Sequence, residues 1–240
     1  MKKTNLVISL VFVLVLTVFC VPTYAATETG VVTYSAPVIT DVAVLEERAK
    51  AGINEYDGEE LVVEGGAKYV LQTADAPVVQ QVTLPTTTQL LRTTEYADGK
   101  VTKDYATAVQ ATTKSASGHS ESNTLNVWAI VYWSQQIDPD PGTPCMIYKF
   151  NKSEHFYSES GDGAVTKLEA ENYVGYNEYD IVDASSVQYS PVDGRRYSLT
   201  NPYTAWIAGG QGGHYEAYTY VTSERYGRVE AFVRYYTPAA

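Results

Sequence analysis

The stretch YEAYTYVTSERYGRVEAFVRYY, residues 215–236, decides the fold, because its side chains sort in steps of two. Folded back through residues 223–227, it sets Val221 opposite Val229, Thr219 opposite Ala231 and Ala217 opposite Val233. That row is small and mostly apolar, as a core-facing row must be. The other row sets Glu216 against Arg234, Tyr218 against Phe232 and Tyr220 against Glu230. Cross-strand ion pairs and aromatic pairs each favour a register by a few tenths to about 1 kcal/mol. A slip of one residue exchanges the faces and loses both pairs, so the register is specified.

The same texture runs back to about residue 60, rich in Val, Thr and Tyr, which suit a pleated, half-buried surface. Strands are expected at 60–64, 68–73, 78–84, 87–96, 101–113, 124–135, 145–151, 154–159, 164–169, 186–190, 203–208, 215–222 and 228–236. Gly65-Gly66, Asp98-Gly99, Gly161-Asp162-Gly163, Asp193-Gly194 and Gly209-Gly210 supply turn signals. Many short strands with short turns define an all-β, antiparallel β-sandwich, either one large or two small. Residues 124–135 are apolar on both parities, so this strand is central and covered on both faces. Asp98-Gly99 suits a two-residue type I′ turn pairing Tyr96 with Val101, Arg92 with Tyr105 and Thr88 with Val109. Neither face of that hairpin is cleanly apolar, which places it in solvent or at an edge. The proline-rich segment 137–144 is the best candidate for a sub-domain boundary.

Ahead of the sandwich region, 57–240, lies an arm, 26–56, with one short helix at 41–51. Thr40 or Asp41 can cap it, Val42, Leu45 and Ala49 share a stripe, Glu46 and Lys50 pair, and Gly52 closes it. Such a helix is marginal alone and must pack on the body, or else belong to a flexible arm or pro-segment. Residues 1–25 have the form of a secretory signal: Lys2 and Lys3, an apolar run over 6–21, Pro22, then Thr23-Tyr24-Ala25 before the cut. The expected mature chain is secreted, extracellular, of bacterial type and without a membrane anchor. Without Lys2 and Lys3 it carries 15 basic and 28 acidic residues. That excess excludes nucleic acid and anionic lipid as natural partners, since both demand a basic face.

Signals for chemistry are sparse. His119, His155 and His214 have no metal spacing and read as solvated or hydrogen-bonded loop residues. Gly118-His119-Ser120-Glu121-Ser122 lacks the second glycine of a nucleophile elbow. Cys145, alone once Cys20 leaves with the signal, reads as a small buried hydrophobe. Leu84-Pro85-Thr86 lacks the setting of a wall-anchoring signal. No cofactor is expected; calcium on loops bearing Asp138, Asp140 and Asp162 is the alternative.

Aromatic content is the unusual feature, with 21 tyrosines and three tryptophans in 240 residues. Tyrosine joins a flat apolar face to a hydroxyl, which suits sugar stacking and protein hot spots. Tyr218, Tyr220, Phe232 and Tyr236 on the outward row, extended by Trp206 and Tyr203, form the expected binding surface. The function expected is non-enzymatic binding of an extracellular glycan or protein. Two alternatives stand beside it. One is a secreted β-pore-forming or bactericidal protein, suggested by the Ser/Thr-rich residues 87–135. The other is a hydrolase using paired carboxylates that meet only in the fold.

Overall fold

A computed structural model describes residues 29–56, 58, 61–71, 77–114, 124–137, 146–160, 165–176, 180–201, 203, 205–208 and 212–237. Among them are thirteen strands: β1 (Val31–Ser35), β2 (Val62–Leu71), β3 (Val78–Leu84), β4 (Thr86–Glu95), β5 (Val101–Lys114), β6 (Thr124–Ile137), β7 (Met146–Glu159), β8 (Val165–Tyr176), β9 (Asp180–Tyr189), β10 (Tyr197–Thr200), β11 (Ile207–Ala208), β12 (Gly213–Ser223) and β13 (Gly227–Tyr236). One helix, α1 (Val42–Lys50), accompanies them. The first sheet runs β1-β4-β5-β6-β7-β10, with β11 also on β7; the second runs β3-β2-β13-β12-β8-β9. All pairings are antiparallel, and both sheets draw strands from either side of segment 137–144. The expected all-β sandwich is the fold. The signal residues, Cys145, His119, Gly118–Ser122 and the acidic residues Asp138, Asp140 and Asp162 lie outside the described residues.

The hairpin at 215–236 forms in the expected register, pair for pair. Its inner row, Ala217, Thr219, Val221, Val229, Ala231 and Val233, is fully buried between the sheets. β6 is central and covered on both faces. Its odd residues, Leu125, Val127, Ala129, Val131 and Trp133, face the second sheet. Its even residues Trp128 and Ile130 lie under α1.

α1 starts where Asp41 accepts the Ala43 N–H at 2.9 Å, and ends at Gly52, whose φ of +67° needs glycine. Leu45 packs on Ala106, Ala108, Trp128, Ile130 and Phe156, closing a second core outside the first sheet. The arm is tied down on both sides of the helix. β1 pairs with β4, and Gln89 accepts from the Ile39 N–H at 2.9 Å and donates to Pro37 O at 2.8 Å. Arg48 meets Glu55 at 2.6 Å.

Two turn expectations fail locally. The β4–β5 hairpin closes through three residues, Ala97, Asp98 and Gly99, not two. Tyr96 accepts from the Gly99 N–H and donates to Lys100 O, both at 2.9 Å, and Gly99 has φ +85°. That is a type I turn followed by a left-handed glycine. The register is therefore Glu95–Val101 and Arg92–Asp104, and an irregularity between Leu90 and Arg92 then sets Thr88 opposite Thr107. Nor is this hairpin solvated. Thr88 and Thr107 are fully buried, their hydroxyls bonded at 2.9 Å, and the Trp133 indole N–H donates to Thr107 at 3.0 Å. A threonine row enters a core when its hydroxyls satisfy one another. The second failure is Gly65-Gly66, which lies inside β2 and turns nothing.

Candidate functional site

The outer face of the second sheet assembles the predicted aromatic row. Pairing of β12 with β8 sets Glu171 beside Tyr218 and Tyr173 beside Glu216, and pairing of β13 with β2 sets Gly66 beside Phe232 and Lys68 beside Glu230. Tyr218 and Tyr220 stack at 5.7 Å, Tyr173 meets Tyr218 edge-on at 5.7 Å, and Phe232 tilts against Tyr218 at 5.6 Å. The helix and arm lie on the other sheet. Among the described residues, the cover over these rings is the protein's own charge. The Arg228 guanidinium sits 4.3 Å from the Tyr220 ring centre and that of Arg234 4.5 Å from the Phe232 ring centre. Such contacts keep the rings mostly buried while leaving charged groups on top.

The polar groups form a fixed network. Tyr218 donates to Glu216 and accepts from Arg234 Nη2 at 2.8 Å, while Arg234 Nε stands 3.2 Å from Glu216. Glu171 accepts from Tyr220 at 2.9 Å and from Tyr173. Burial and the carboxylate it bonds push the Tyr173 hydroxyl up to about 12, and the same causes raise Tyr218 and Tyr220. All three are therefore protonated donors at neutral pH. Burial also holds the Glu230 carboxyl above the usual range against the pull of Lys68, Arg228 and Arg234, with Glu171 adding to the rise. Among the described residues, Lys68 and Arg228 have no carboxylate within ion-pair distance. Lys68, Glu216, Tyr218, Tyr220, Glu230 and Arg234 are among the residues that line an open groove of about 500 Å³.

Of the six predicted binding residues, four share this face. Tyr218, Tyr220 and Phe232 form its floor, and Tyr236 stands at its end, donating to Glu64 at 2.6 Å. Tyr203 packs instead against the core between the sheets, and Trp206 precedes β11 on the first sheet. Both are separated from the face by the chain's passage from β11 to β12, which changes sheet. Tyr173, Glu171, Lys68 and Glu64 come from β8 and β2, and only long-range pairing brings them in.

Gly66 makes the floor possible. A Cβ there would stand 2.2 Å from the Phe232 ring, which lies over the bare backbone. Gly66→Ala is expected to lose about 2 kcal/mol in urea unfolding by lifting the ring. Adding Phe232→Leu should recover part of that loss, because the two residues contact directly. Independent, additive effects would show that the ring does not rest there.

A second polar cluster lies between the sheets. His155 Nδ1 stands 2.8 Å from Thr219 Oγ1 and Nε2 stands 2.6 Å from Ser153 Oγ, all three residues being fully buried. His155 is thus a strand residue in the core, not a loop residue; His214 lies on β12, lining the groove. The Thr219 hydroxyl donates to Trp128 O at 2.8 Å, so it accepts from Nδ1–H, and Nε2 accepts from Ser153. Ser153 Oγ also lies 2.9 Å from Asn172 Oδ1. A serine–histidine pair at this distance has the form of a nucleophile and base, but full burial denies it substrate. It is a structural network.

Among the described residues, no group of three or more His, Cys, Asp or Glu is placed to hold a metal ion. Comparison of the chain with family models, with curated proteins and with solved structures finds no match in any of the three.

Proposed function

We propose that the chain is an exported, non-catalytic β-sandwich that holds an extracellular glycan on the outer face of its second sheet. The observation that carries this reading is the aromatic floor of Tyr173, Tyr218, Tyr220 and Phe232, fixed by hydroxyl–carboxylate bonds and flanked by Lys68 and by Arg228, whose guanidinium lies over the Tyr220 ring. Planar carboxylate and guanidinium groups over aromatic rings match the alternating hydroxyl and C–H faces of a sugar. Their rigidity lowers the ordering cost of binding. A protein surface is the competing partner, since tyrosine and arginine also dominate hot spots.

A glycan screen tests this. Arg228 is exposed, so Arg228→Ala should leave the urea midpoint unchanged while weakening binding about tenfold, and Tyr220→Ala should weaken it further. Unchanged binding by both variants removes this face, and binding only to a surface protein replaces the glycan.

A second reading rests on Glu230, whose raised carboxyl shares the groove with Glu216. A carboxyl of raised pKa beside a second carboxyl is the arrangement that paired-carboxylate hydrolysis needs. Under it, Glu230→Gln abolishes release of reducing ends while retaining binding. A wild-type protein that binds a glycan and never cleaves it ends this reading.

A further inference from the structure

The first sheet is interrupted twice at one level. Leu91 on β4 and Asn151 on β7 have no residue opposite them, and both interruptions adjoin the cross-strand row Leu90-Tyr105-Trp133-Phe150. An extra residue bends its strand and re-aims side chains, and such bulges recur beside functional sites. Here Leu91 and Asn151 line one depression of about 350 Å³ with Asp104, Tyr132, Lys152 and Thr200. Tyr132 packs with Trp128 and Ile130 of the outer core, so the depression opens on the side of the sandwich away from the aromatic groove.

A polar row beside the depression is fixed from strand to strand. Arg92, Asp104, Ser134 and Lys149 stand opposite one another on β4, β5, β6 and β7. Arg92 Nε meets Asp104 at 2.7 Å, Ser134 donates to Asp104 at 2.6 Å, and Asn151 Nδ2 donates to Ser134 at 2.9 Å. With its NH₂ end on Ser134, the exposed Asn151 has its Oδ1 left to accept. Lys152 meets Glu154 at 2.9 Å, and Arg196 lies 3.4 Å from the same carboxylate. Among the described residues, Lys149 has no carboxylate within ion-pair distance. Arg92, Lys149, Lys152 and Arg196 therefore outnumber Asp104 and Glu154, in a chain whose formal charge is −11.

We infer that this depression is a second ligand site, which takes a hydroxyl-bearing carboxylate: a sugar acid such as a hexuronate. The local excess of cations, Lys149 foremost, supplies the counter-charge for one carboxylate. Asp104, Asn151 Oδ1 and the exposed Thr200 hydroxyl supply acceptors, which call for hydroxyl donors on the ligand. A phosphate or sulfate brings almost only acceptors and sets them against the Asp104 carboxylate. A neutral sugar leaves Lys149 without a counter-charge. The hydrogen bonds already linking Arg92, Asp104, Ser134 and Asn151 hold the site in shape and lower the ordering cost of binding.

Magnetic-resonance titrations of the labelled protein with D-galacturonate, D-galactose and inorganic phosphate test the site. Galacturonate should give saturable shifts at residues 91–92, 104, 132–134 and 149–152, bind about tenfold more tightly than galactose at low salt, and weaken as salt rises. Lys149→Gln should weaken galacturonate about fivefold with the urea midpoint unchanged, and Lys149→Arg should retain it. Tyr220→Ala, on the other sheet, should leave it unchanged, which separates this site from the aromatic groove. The inference is overturned by no saturable shift, by equal affinity for galactose, or by phosphate binding as tightly as galacturonate. Binding that Lys149→Gln leaves intact overturns it too, as do shifts in the second-sheet groove in place of these residues.

Discussion

Replacing Trp133 by alanine is expected to remove about 4 kcal/mol of folding stability, read as a fall in the urea midpoint without a change in slope. Trp133 is fully buried at the centre of the ring cluster between the sheets. It stacks on Tyr105 at 4.5 Å and meets Tyr56 at 5.1 Å and Tyr235 at 5.8 Å, both edge-on. Its N–H bonds the buried Thr107. Alanine would leave a cavity walled by these three rings and by Tyr148, 6.3 Å from the indole, so little collapse can fill it. Trp206→Ala is the control: Trp206 is only partly buried, and its loss should cost about 1 kcal/mol or less. Equal effects of the two would mean that the core is not centred on Trp133.

Acid should unfold the protein early, and His155 should be a main cause. Burial pushes its imidazole down to about 3 from an ordinary value of 6.5. Its partners Ser153 and Thr219 carry no charge. Below about pH 6.5 the unfolded chain takes a proton on this histidine and the folded chain does not, so each proton bound favours unfolding. The full stability is present above that pH and is lost as pH falls toward 3. The loss attributable to His155 is about 2 to 3 kcal/mol between pH 7 and pH 4.5. Glu230, whose folded value is raised, works in the opposite sense over the acid range and blunts the total. Comparing urea midpoints of wild type and His155→Gln across this range isolates the histidine. The variant should show a shallower decline, and parallel declines would show that His155 is protonated or exposed in the folded state.

What the sequence disclosed followed from local chemistry. The 215–236 register was legible because its charges, rings and small residues oppose one another within one hairpin. Strand β6 was legible as central because both its faces are apolar, and α1 because its cap, stripe and closing glycine are contiguous. The β4–β5 turn was misread because Asp-Gly serves two turn geometries that differ by one residue. Its burial was missed because Thr88 and Thr107 count as polar until their hydroxyls meet. Glycine at 65 and 66 signals a turn in isolation, while its role, giving Phe232 and Val109 room to approach, exists only once β13 and β5 are in place. The same limit governs the candidate face. Tyr218, Tyr220, Phe232 and Tyr236 share a hairpin and could be grouped from sequence. Tyr173, Glu171 and Lys68 arrive through β8 and β2, and no local pattern announces such pairing. Ser153 and His155 stand two apart on one strand, a spacing that places them on one face without saying that the face is buried.

The groove on the second sheet is the centre of this account, and a titration of isotope-labelled protein with the glycan that scores best in the screen tests it most directly. Resonances of residues 171–173, 214–220 and 228–236, with the Arg228 and Arg234 side chains foremost, should shift in a saturable manner. Shifts confined to the first sheet or to the loops, or no shift with any glycan, would contradict it.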